Sequence, residues 1–585
     1  MNKLLSTLLL GVLAHGAATA SVDYKWSHLI DTPSAQDMAS AVITAKDGKA
    51  VSFSHFGSKT AEDGINYAGE TVAFGAATSS NSDNRNLLIM KHGDDGKALW
   101  TVSTKEGYVD TANGFVAATS DGGVVALIKL RGSLNGDVIA PVFVDAQGEK
   151  PLASFNTSDW VYNMVVLKIS ANGEIEWIRP FDQSQLAVGL AEADILDGIT
   201  PYGLCVDDED NIYVGGNYRT PVIAWGVNNS CFALQPRNVA DYSGNSQNAA
   251  GGLFLIKLDK EGNYLNNLKS AGTDTRDQIC GLDYNDGKVY FFGNIQGAEG
   301  DVVTVGDKQV SLPNGLDNLM YGSVNKDMTV NYVGLAKGYA ASDGKETLQC
   351  KGIKVIDGGL YMLGSVKGGL GSGDGESALV ETSGTMLQGF ALKCDASNGD
   401  LKSGHIYSEG ISAYMGVFKY DGVTYLYGYR MNATEGCVLE SFSNDDNWTY
   451  TETDGKISLM LGGGAPTAYG SAFEPTDKML YVMARGNKAF TFYNTEAASE
   501  APQGFGGILT AYSLAGTNVN VESTQDVAFM VSTELGGVKV IGNSVRVVIV
   551  NAAGVTEADQ VVDGEAFIAL PAGVHMVNDR KVIVK

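Results

Sequence analysis

The chain has 585 residues, of which 44% are hydrophobic, and its 67 acidic side chains against 41 lysines and arginines give a formal net charge of −26. The length allows several domains or one large repeat domain with an appendage, and the apolar content excludes a disordered chain. A nucleic-acid-binding protein needs a basic face, and no cluster of Lys and Arg supplies one here. The 73 glycines and 12 prolines, with many runs of Val, Ile, Tyr and Thr, favour short strands joined by tight turns.

The first twenty residues have the pattern of a secretory signal peptide. Lys3 is followed by an apolar run from Leu4 to Leu13 and by the small residues Ala18-Thr19-Ala20, so we expect cleavage after Ala20. The apolar run is shorter than the roughly 20 residues of a membrane-spanning helix, and no later stretch approaches that length. We therefore expect an exported protein, extracellular or at the outer-membrane surface, with the periplasm as the alternative.

One short unit recurs along the chain. Each copy starts at a small residue and ends after a turn, and the five clearest copies are Gly203 to Tyr213, Gly281 to Tyr290, Gly352 to Tyr361, Gly416 to Tyr425 and Gly470 to Tyr481. Two looser copies precede them, Ala41 to Val51 and Gly114 to Val124. Asp-Gly pairs such as Asp286-Gly287 supply the positive φ that a two-residue hairpin turn requires. Each unit is therefore predicted to be a pair of antiparallel strands.

A second strand pair follows these hairpins. Its first strand is an apolar run that often ends in Lys, as at Lys91, Lys168, Lys257 and Lys393, and a Gly closes the next turn. Four antiparallel strands repeated seven times predict a seven-bladed β-propeller over residues 21–515. We expect the recurrent Tyr to pack between blades, and the first strands to begin near residues 39, 112, 201, 279, 350, 414 and 468.

The two ends of the repeat region complement each other. Residues 24–30 contain Trp26 in a segment that is similar to those of Trp100 and Trp177, the predicted fourth strands of the first two blades. The seventh unit has three strands of its own, the third at Gly507 to Leu514. The N-terminal segment is therefore expected to supply the missing fourth strand and to close the ring, which removes exposed sheet edges.

Long insertions separate the predicted second and third strands of five units. In an up-and-down blade this position repeats on one face of the disc, so we expect the insertions to crowd together there, and long loops on a rigid scaffold often carry recognition. Their aromatic side chains could stack on sugar rings or anchor a protein partner, with capping of the blades beneath as the alternative. The insertions lie at about residues 58–85, 133–162, 220–250, 297–316 and 369–386, and the candidate binding residues are Trp160, Tyr162, Trp225 and Tyr242.

A second domain is predicted after the repeats. Residues 516–523 form a polar linker, and residues 524–585 alternate apolar and polar positions between Gly-rich turns, as in a small immunoglobulin-like β-sandwich. Leu570 to Val577, followed by Lys581 to Lys585, resembles the C-terminal sorting domain of exported Bacteroidota proteins, the type IX secretion (Por) family. His575 replaces the aromatic residue of that family's pattern. The resemblance implies contact with the secretion machinery and passage across the outer membrane, with a plain accessory domain as the alternative.

Two segments of the repeat region also resemble the repeats of secreted bacterial β-propellers. They are Asp210 to Gly216 and Phe254 to Gly262, which match the family's "D-x-x-G-N-I-Y-V-x-G" and "F-x-x-K-x-D-x-x-G" signatures most closely. Membership of that family implies a fold and not an activity.

No signature of a catalytic or metal centre is present in the sequence. Neither Gly-x-Ser-x-Gly nor His-Glu-x-x-His occurs, the histidines are scattered, and the six cysteines contain no Cys-x-x-Cys. The acidic run Asp207–Asn211 has oxygen ligands for calcium but lacks the spacing of a calcium loop and falls on a predicted hairpin turn. We expect a solvated turn there, and no cofactor.

Three functional classes remain from the sequence. We expect a non-enzymatic exported propeller that binds a glycan or a protein through its long loops. A structural or adhesion component of the cell envelope is the first alternative. A polysaccharide-degrading enzyme is the second, because paired carboxylates for glycoside hydrolysis meet in space rather than in sequence.

Overall fold

The computed structural model is built from β-strands, which confirms the all-β prediction. Among the residues it describes, no helix is long and apolar enough to cross a membrane. Two compact units, Met1–Thr517 and Asn518–Lys585, are described separately below. The predicted signal peptide and the predicted linker lie outside the described residues. Those residues are 21–31, 38–57, 65–67, 70–72, 85–106, 108–109, 115–131, 133–134, 137–138, 142–152, 162–181, 199–218, 222–225, 231–234, 252–272, 276–372, 377–431, 436–451, 455–464, 466–502, 504–515, 530–534, 536–551, 555–577 and 580–584.

The strands of the first unit follow one another closely. In chain order they are β1 Ser21–Ile30, β2 Met38–Thr44, β3 Ala50–Gly57, β4 Ile65–Tyr67, β5 Glu70–Val72, β6 Arg85–His92, β7 Ala98–Glu106, β8 Tyr108–Val109, β9 Phe115–Ala118, β10 Val124–Arg131, β11 Ser133–Leu134, β12 Asp137–Val138, β13 Val142–Asp145, β14 Gly148–Pro151, β15 Tyr162–Ile169, β16 Ile175–Phe181, β17 Ile199–Val206, β18 Ile212–Tyr218, β19 Val222–Trp225, β20 Cys231–Leu234, β21 Gly252–Leu258 and β22 Tyr264–Gly272. They continue with β23 Arg276–Asp277, β24 Gly281–Asn285, β25 Lys288–Gln296, β26 Val302–Val305, β27 Lys308–Ser311, β28 Asn318–Asn325, β29 Val330–Tyr339, β30 Thr347–Ile356, β31 Gly359–Lys367, β32 Gly369–Ser372, β33 Val380–Glu381, β34 Gln388–Asp395, β35 Leu401–Ile406, β36 Ile411–Tyr420, β37 Val423–Met431, β38 Gly436–Asn444, β39 Thr449–Tyr450, β40 Lys456–Gly462, β41 Thr467–Glu474, β42 Met479–Gly486, β43 Phe490–Phe492 and β44 Gly506–Ala515.

Sheets with a core of four antiparallel strands recur along this unit, and we number them 1 to 7. Their cores are β2-β3-β6-β7, β9-β10-β15-β16, β17-β18-β21-β22, β24-β25-β28-β29, β30-β31-β34-β35, β36-β37-β38-β40 and β41-β42-β44-β1. The first strands touch in cyclic order, from β2 through β9, β17, β24, β30, β36 and β41 back to β2. The described residues thus form a propeller-like fold with the first strands facing a common centre.

Sheet 7 takes its fourth strand from the other end of the chain. β1 pairs antiparallel with β44, from Ser21 opposite Ala515 to Ile30 opposite Gly507, with a register shift between Tyr24 and Trp26. The pairing leaves β44 with a neighbour on both sides, since β42 pairs with its other edge.

Backbone angles at the turns match the Asp-Gly pairs of the sequence. Asp286 and Gly287 both have positive φ, 48° and 76°, and they join β24 to β25 directly. This is the conformation that a two-residue hairpin needs and that Asp-Gly accepts at low cost.

The recurrent Tyr residues are buried, and a recurrent Lys residue stabilises a turn of its own sheet. Tyr213 and Tyr361 are fully buried, and Lys168 Nζ, at the end of β15, lies 2.8 Å from Oδ1 of the turn residue Asp121. Burial alone would raise the pKa of Asp121, but hydrogen bonds from Lys168 and Thr119 outweigh it and lower the pKa to about 2. Tyr213 and Tyr361 therefore serve packing, and Lys168 serves the stability of a turn.

Three insertions contribute hairpins that extend the preceding sheet outward, whereas β4 and β5, β11 and β12, and β19 and β20 each form a separate two-stranded sheet. β13 and β14 form a hairpin on β7 of sheet 1, β26 and β27 one on β22 of sheet 3, and β32 and β33 one on β29 of sheet 4. β43 pairs in the same way with β40 of sheet 6. Because the fourth strand is the outer edge of each sheet, these strands cover backbone groups that would otherwise be unpaired. The expectation that the insertions crowd together on one face and carry recognition stays a prediction.

The second unit is one five-stranded antiparallel sheet. Its strands are β45 Met530–Glu534, β46 Gly537–Asn551, β47 Thr556–Ala569, β48 Gly573–Val577 and β49 Arg580–Val584, with β46 paired to β45, β47 and β48. His575, the residue that departs from the sorting-domain pattern, is 2% exposed. Its Nε2 donates to the carbonyl of Pro571 at 2.8 Å and its Nδ1 lies 2.6 Å from a carboxylate oxygen of Glu557. The imidazole is thus buried between a backbone carbonyl and a carboxylate.

Candidate functional site

The first strands enclose a cavity of about 530 Å³, which we call the axial cavity. Residues of β2, β9, β17, β24, β30, β36 and β41 all line it. In β17 these are Leu204 to Val206, the last residues of the strand, so the cavity lies at the hairpin-turn end of the ring. Its volume is in the range of small-molecule binding sites.

One wall of the axial cavity carries an ion pair. Lys354 Nζ lies 2.8 Å from Asp283 Oδ1, and the backbone N–H of Val355 donates to Asp283 Oδ2 at 2.8 Å. The carboxylate raises the pKa of Lys354, so this side chain is an ammonium at neutral pH. The Lys354 side chain is 51% exposed whereas that of Asp283 is 12% exposed. The ammonium therefore has donors left for a ligand.

Aromatic rings form another wall of the same cavity. Phe418 and Phe473 stack with centroids 4.6 Å apart and planes inclined by 19°. Phe418 also stacks on Tyr425 at 4.9 Å and 6°. Lys419, next to Phe418, lines the cavity with a second cation and lies 3.0 Å from Asp445. The cavity thus joins an apolar stack to charged hydrogen-bonding groups.

The acidic run Asp207–Asn211 folds as a hydrogen-bonded turn at the end of β17. Asp207 Oδ1 accepts the backbone N–H of Glu209 and of Asn211, both at 2.9 Å. Asp207 Oδ2 accepts the Asn211 side-chain amide at 2.9 Å and the Tyr213 hydroxyl at 3.1 Å. The Asp207 carboxylate therefore serves to fix the turn.

A second polar cluster lies buried between sheets 5 and 6. Glu440 is fully buried; its Oε2 accepts the Tyr414 hydroxyl and lies 3.2 Å from His405 Nε2, while its Oε1 accepts the Tyr450 hydroxyl at 2.9 Å. Lys456 Nζ lies 3.9 Å from the same carboxylate. Because His405 belongs to β35 and the others to sheet 6 or its connections, the cluster ties the two sheets together.

The binding residues predicted from the sequence belong to other parts of the chain. Trp160 and Tyr242 lie outside the described residues. Tyr162 starts β15, opposite Arg131, and Trp225 ends β19, opposite Cys231, and the side chains of both lie outside the described part.

The lining of the axial cavity follows a sequence signal that was available. Its residues come directly after the small residue that opens each repeat, as in Leu282 to Tyr284 after Gly281 and Val417 to Lys419 after Gly416. Reading the repeat as a ring of first strands would have placed these positions around one axis.

Comparisons with known proteins return similar structures but no family. No family model and no curated protein matches the chain. A protein of unknown function from Dyadobacter fermentans aligns at 10% identity with a TM-score of 0.31, covering 68% of this chain and 93% of its own. Polysaccharide lyase Uly1 aligns at 10% identity and 0.31, covering 84% and 100%, and Drosophila Semaphorin 2a at 8% and 0.37, covering 97% and 94%. These TM-scores are too low to support an assignment of the fold, so the description of the fold rests on the strand pairing within this chain.

Proposed function

We propose that residues 21–515 form an exported seven-bladed β-propeller that binds a carbohydrate in its axial cavity without chemical turnover. The observation that carries the proposal is that the Phe418–Phe473 stack and the Asp283–Lys354 ion pair line one cavity of about 530 Å³. A sugar ring has an apolar face that packs on aromatic rings. Its hydroxyl groups both donate and accept hydrogen bonds, which suits an ammonium beside a carboxylate.

The propeller interpretation is supported by the repeated four-stranded cores and by the cyclic contacts of their first strands. Export is supported by the signal-peptide pattern of residues 1–20 and by the resemblance of residues 570–585 to a sorting domain. On this proposal, the second unit is an immunoglobulin-like domain that directs the protein to the outside of the cell.

A glycan array probed with the mature chain, residues 21–585, tests the proposal. Calorimetry on the oligosaccharide that binds then locates the site through Phe473→Leu, which removes the exposed part of the stack, and Lys354→Gln, which removes the ammonium. We expect each change to weaken binding at least about tenfold, a loss of roughly 1.4 kcal/mol.

The matched control is Lys345→Gln, which removes an exposed lysine from a turn outside the cavity and leaves affinity unchanged. Affinity that survives both cavity variants would place the ligand elsewhere. An array without any bound glycan would refute the carbohydrate assignment, and release of new sugar ends from a bound polysaccharide would refute the absence of turnover.

A further inference from the structure

Two thiols of neighbouring sheets share one hydrogen-bond acceptor. Cys280 immediately precedes β24 of sheet 4, and Cys350 lies in β30 of sheet 5. Their sulfurs lie 3.6 Å and 2.8 Å, respectively, from the same oxygen, Oδ1 of Asn294. The Asn294 amide is itself fixed, since its Nδ2 donates to the carbonyl of Leu348 at 2.9 Å. Because both sulfurs contact one oxygen atom, they lie close to each other across the boundary between sheets 4 and 5.

Exposure separates this pair from the other cysteines whose side chains are described. Cys280 and Cys350 are half-buried, whereas Cys205, Cys394 and Cys437 are buried. A thiol must be reached by a reagent before it reacts, and buried structural thiols are inert. A thiol reagent in solution is therefore expected to react first with Cys280 and Cys350.

The two thiols also differ in acidity. The side-chain amide of Gln278 donates to Cys280 Sγ at 3.4 Å, which favours a thiolate there. Contact with the Cys350 thiol and the hydrogen bond from this amide lower the pKa of Cys280, whereas burial raises the pKa of Cys350. The thiolate is the nucleophile in thiol–disulfide exchange. Cys280 is therefore the sulfur that attacks first, and Cys350 is the one that resolves the intermediate.

We propose that Cys280 and Cys350 form a disulfide that fastens sheet 4 to sheet 5 when the protein meets a small-molecule disulfide such as oxidised glutathione. The Cys280 thiolate attacks one sulfur of glutathione disulfide, forms a mixed disulfide and releases one glutathione thiolate. That thiolate takes the proton of Cys350, whose sulfur then attacks Cys280 and displaces the second glutathione. Two protein thiols are oxidised, one glutathione disulfide is reduced to two thiols, and the protons leave with them.

The linkage requires a small local movement. Both sulfurs leave Asn294 Oδ1 and approach to about 2.05 Å, the length of a disulfide bond. The bond joins the residue that precedes the first strand of sheet 4 to the first strand of sheet 5, and it closes the chain between residues 280 and 350 into a loop. A crosslink of this kind stabilises mainly by restricting the unfolded chain.

Peptide mapping of the full mature chain tests the proposal. The protein is equilibrated with oxidised glutathione, its remaining thiols are alkylated under unfolding conditions, and the digest is analysed by mass spectrometry. We expect a crosslinked pair of peptides containing Cys280 and Cys350, lighter than their sum by two hydrogens and separated by reduction. Cys205, Cys394 and Cys437 serve as internal controls and are recovered alkylated. The oxidised protein should also melt several degrees above the reduced one.

The variant Cys350→Ser separates the two steps. Ser keeps a donor for Asn294 Oδ1 and lacks the resolving sulfur, so we expect a lasting glutathione adduct on Cys280 and no crosslink. The difference in melting temperature between oxidised and reduced forms should disappear in this variant. Recovery of Cys280 and Cys350 as free thiols, as unlinked glutathione adducts, or crosslinked to another cysteine such as Cys231 in the wild-type protein would overturn the proposal.

Discussion

The indole N–H of Trp26 donates to the backbone carbonyl of Asp94 across the boundary between sheet 7 and sheet 1, with 3.0 Å between nitrogen and oxygen. The ring is 9% exposed and lies against His28, His92 and Tyr481, at centroid distances of 5.2, 5.9 and 6.0 Å. Asp94 belongs to the turn between the third and fourth strands of sheet 1. A side chain on the fourth strand of sheet 7 is thus hydrogen-bonded to a turn of sheet 1.

The same bond recurs between the following sheets. In each case a side chain on the fourth strand donates to a backbone carbonyl in the next sheet's turn between its third and fourth strands. Asn takes over the role in sheet 3, where the sequence has no Trp. The bonded pairs are Trp100 with Ala171 at 3.0 Å, Trp177 with Lys260 at 3.1 Å, and Asn266 with Asp327 at 3.4 Å.

Replacing Trp26 with Phe removes the donor and keeps an aromatic ring. We expect the free energy of unfolding to fall by about 1–2 kcal/mol, because the Asp94 carbonyl loses its partner. Urea denaturation at neutral pH measures the change. Trp177→Phe is the control, since it removes the same kind of bond from a more exposed ring and should cost less. An unchanged midpoint for Trp26→Phe would show that this contact does not stabilise the seam.

Gly96 lies under the Trp26 ring, and its substitution tests the packing of the seam separately from the hydrogen bond. Its φ is +79°, and a Cβ there would clash first with His28 Nε2 and then with Trp26 Cδ2 at 2.7 Å, whereas Gly287 has a φ of +76° and open space around it. Gly96→Ala and Gly287→Ala therefore share the backbone strain of roughly 1–2 kcal/mol, and only the first displaces a ring. We expect Gly96→Ala to cost about 1–3 kcal/mol more, measured by the same denaturation. Equal losses of unfolding free energy in the two variants would mean that the Trp26 ring moves aside at no measurable cost.

The parts of the fold that depend on short-range patterns could be predicted from the sequence. First strands expected near residues 201, 350 and 468 begin at Ile199, Thr347 and Thr467. These strands follow from strand periodicity and turn chemistry, which act within a few residues. The similarity of the Trp26 segment to the Trp100 and Trp177 segments was informative for a related reason. The three indoles make the same bond.

Contacts between segments far apart in the chain could not be predicted in this way. The hairpin of β13 and β14 pairs with β7, whose open edge accepts it, and no local pattern encodes that choice. The axial cavity combines Asp283 with Phe418 and Phe473, which come from three different sheets. The repeat indicates that these positions surround one axis, but each residue alone is typical of an ordinary strand, and which side chains share a wall follows only from the folded ring.

His92 makes the seam between sheets 7 and 1 sensitive to acid. It is fully buried; its Nδ1 donates to the Gly96 carbonyl at 3.0 Å and its Nε2 accepts from the Ser52 hydroxyl at 2.8 Å. Burial lowers the pKa of His92 from 6.5 to about 4. The unfolded chain therefore takes up a proton at a higher pH than the folded chain does. Stability from neutral His92 is complete above about pH 6.5 and is lost as the pH falls towards 4, by about 3 kcal/mol.

The variant His92→Gln removes this titration and tests it. Unfolding free energies are measured at neutral pH and at about pH 5 for both proteins. We expect the wild type to lose more stability on acidification than the variant does, even where the variant starts from a lower value. Parallel pH dependences would assign the acid sensitivity to other groups.

Asp445 is a buried carboxylate that accepts several hydrogen bonds at the boundary of sheets 5 and 6, and its neighbour in sequence offers a control. It accepts from Lys393 Nζ and Thr424 Oγ1, each at 2.6 Å, and from the Tyr361 hydroxyl at 2.5 Å. Burial alone would raise the pKa of Asp445, but these hydrogen bonds outweigh it and hold the pKa well below its ordinary value. Its stabilisation is therefore present above about pH 4 and is lost in stronger acid.

Asp445→Asn removes the charge while keeping the shape. We expect a loss of about 3–5 kcal/mol at neutral pH, because Lys393 keeps a largely buried charge without its main partner. Asp446→Asn is the matched control: the side chain next in sequence is 75% exposed and also contacts Lys393, so its loss should stay below about 1 kcal/mol. Urea denaturation of both variants at neutral pH compares them directly. A loss of similar size for the two would mean that burial does not strengthen the Asp445 contacts, whereas a large difference shows that the buried Asp445 carboxylate contributes much of the stability of its part of the boundary.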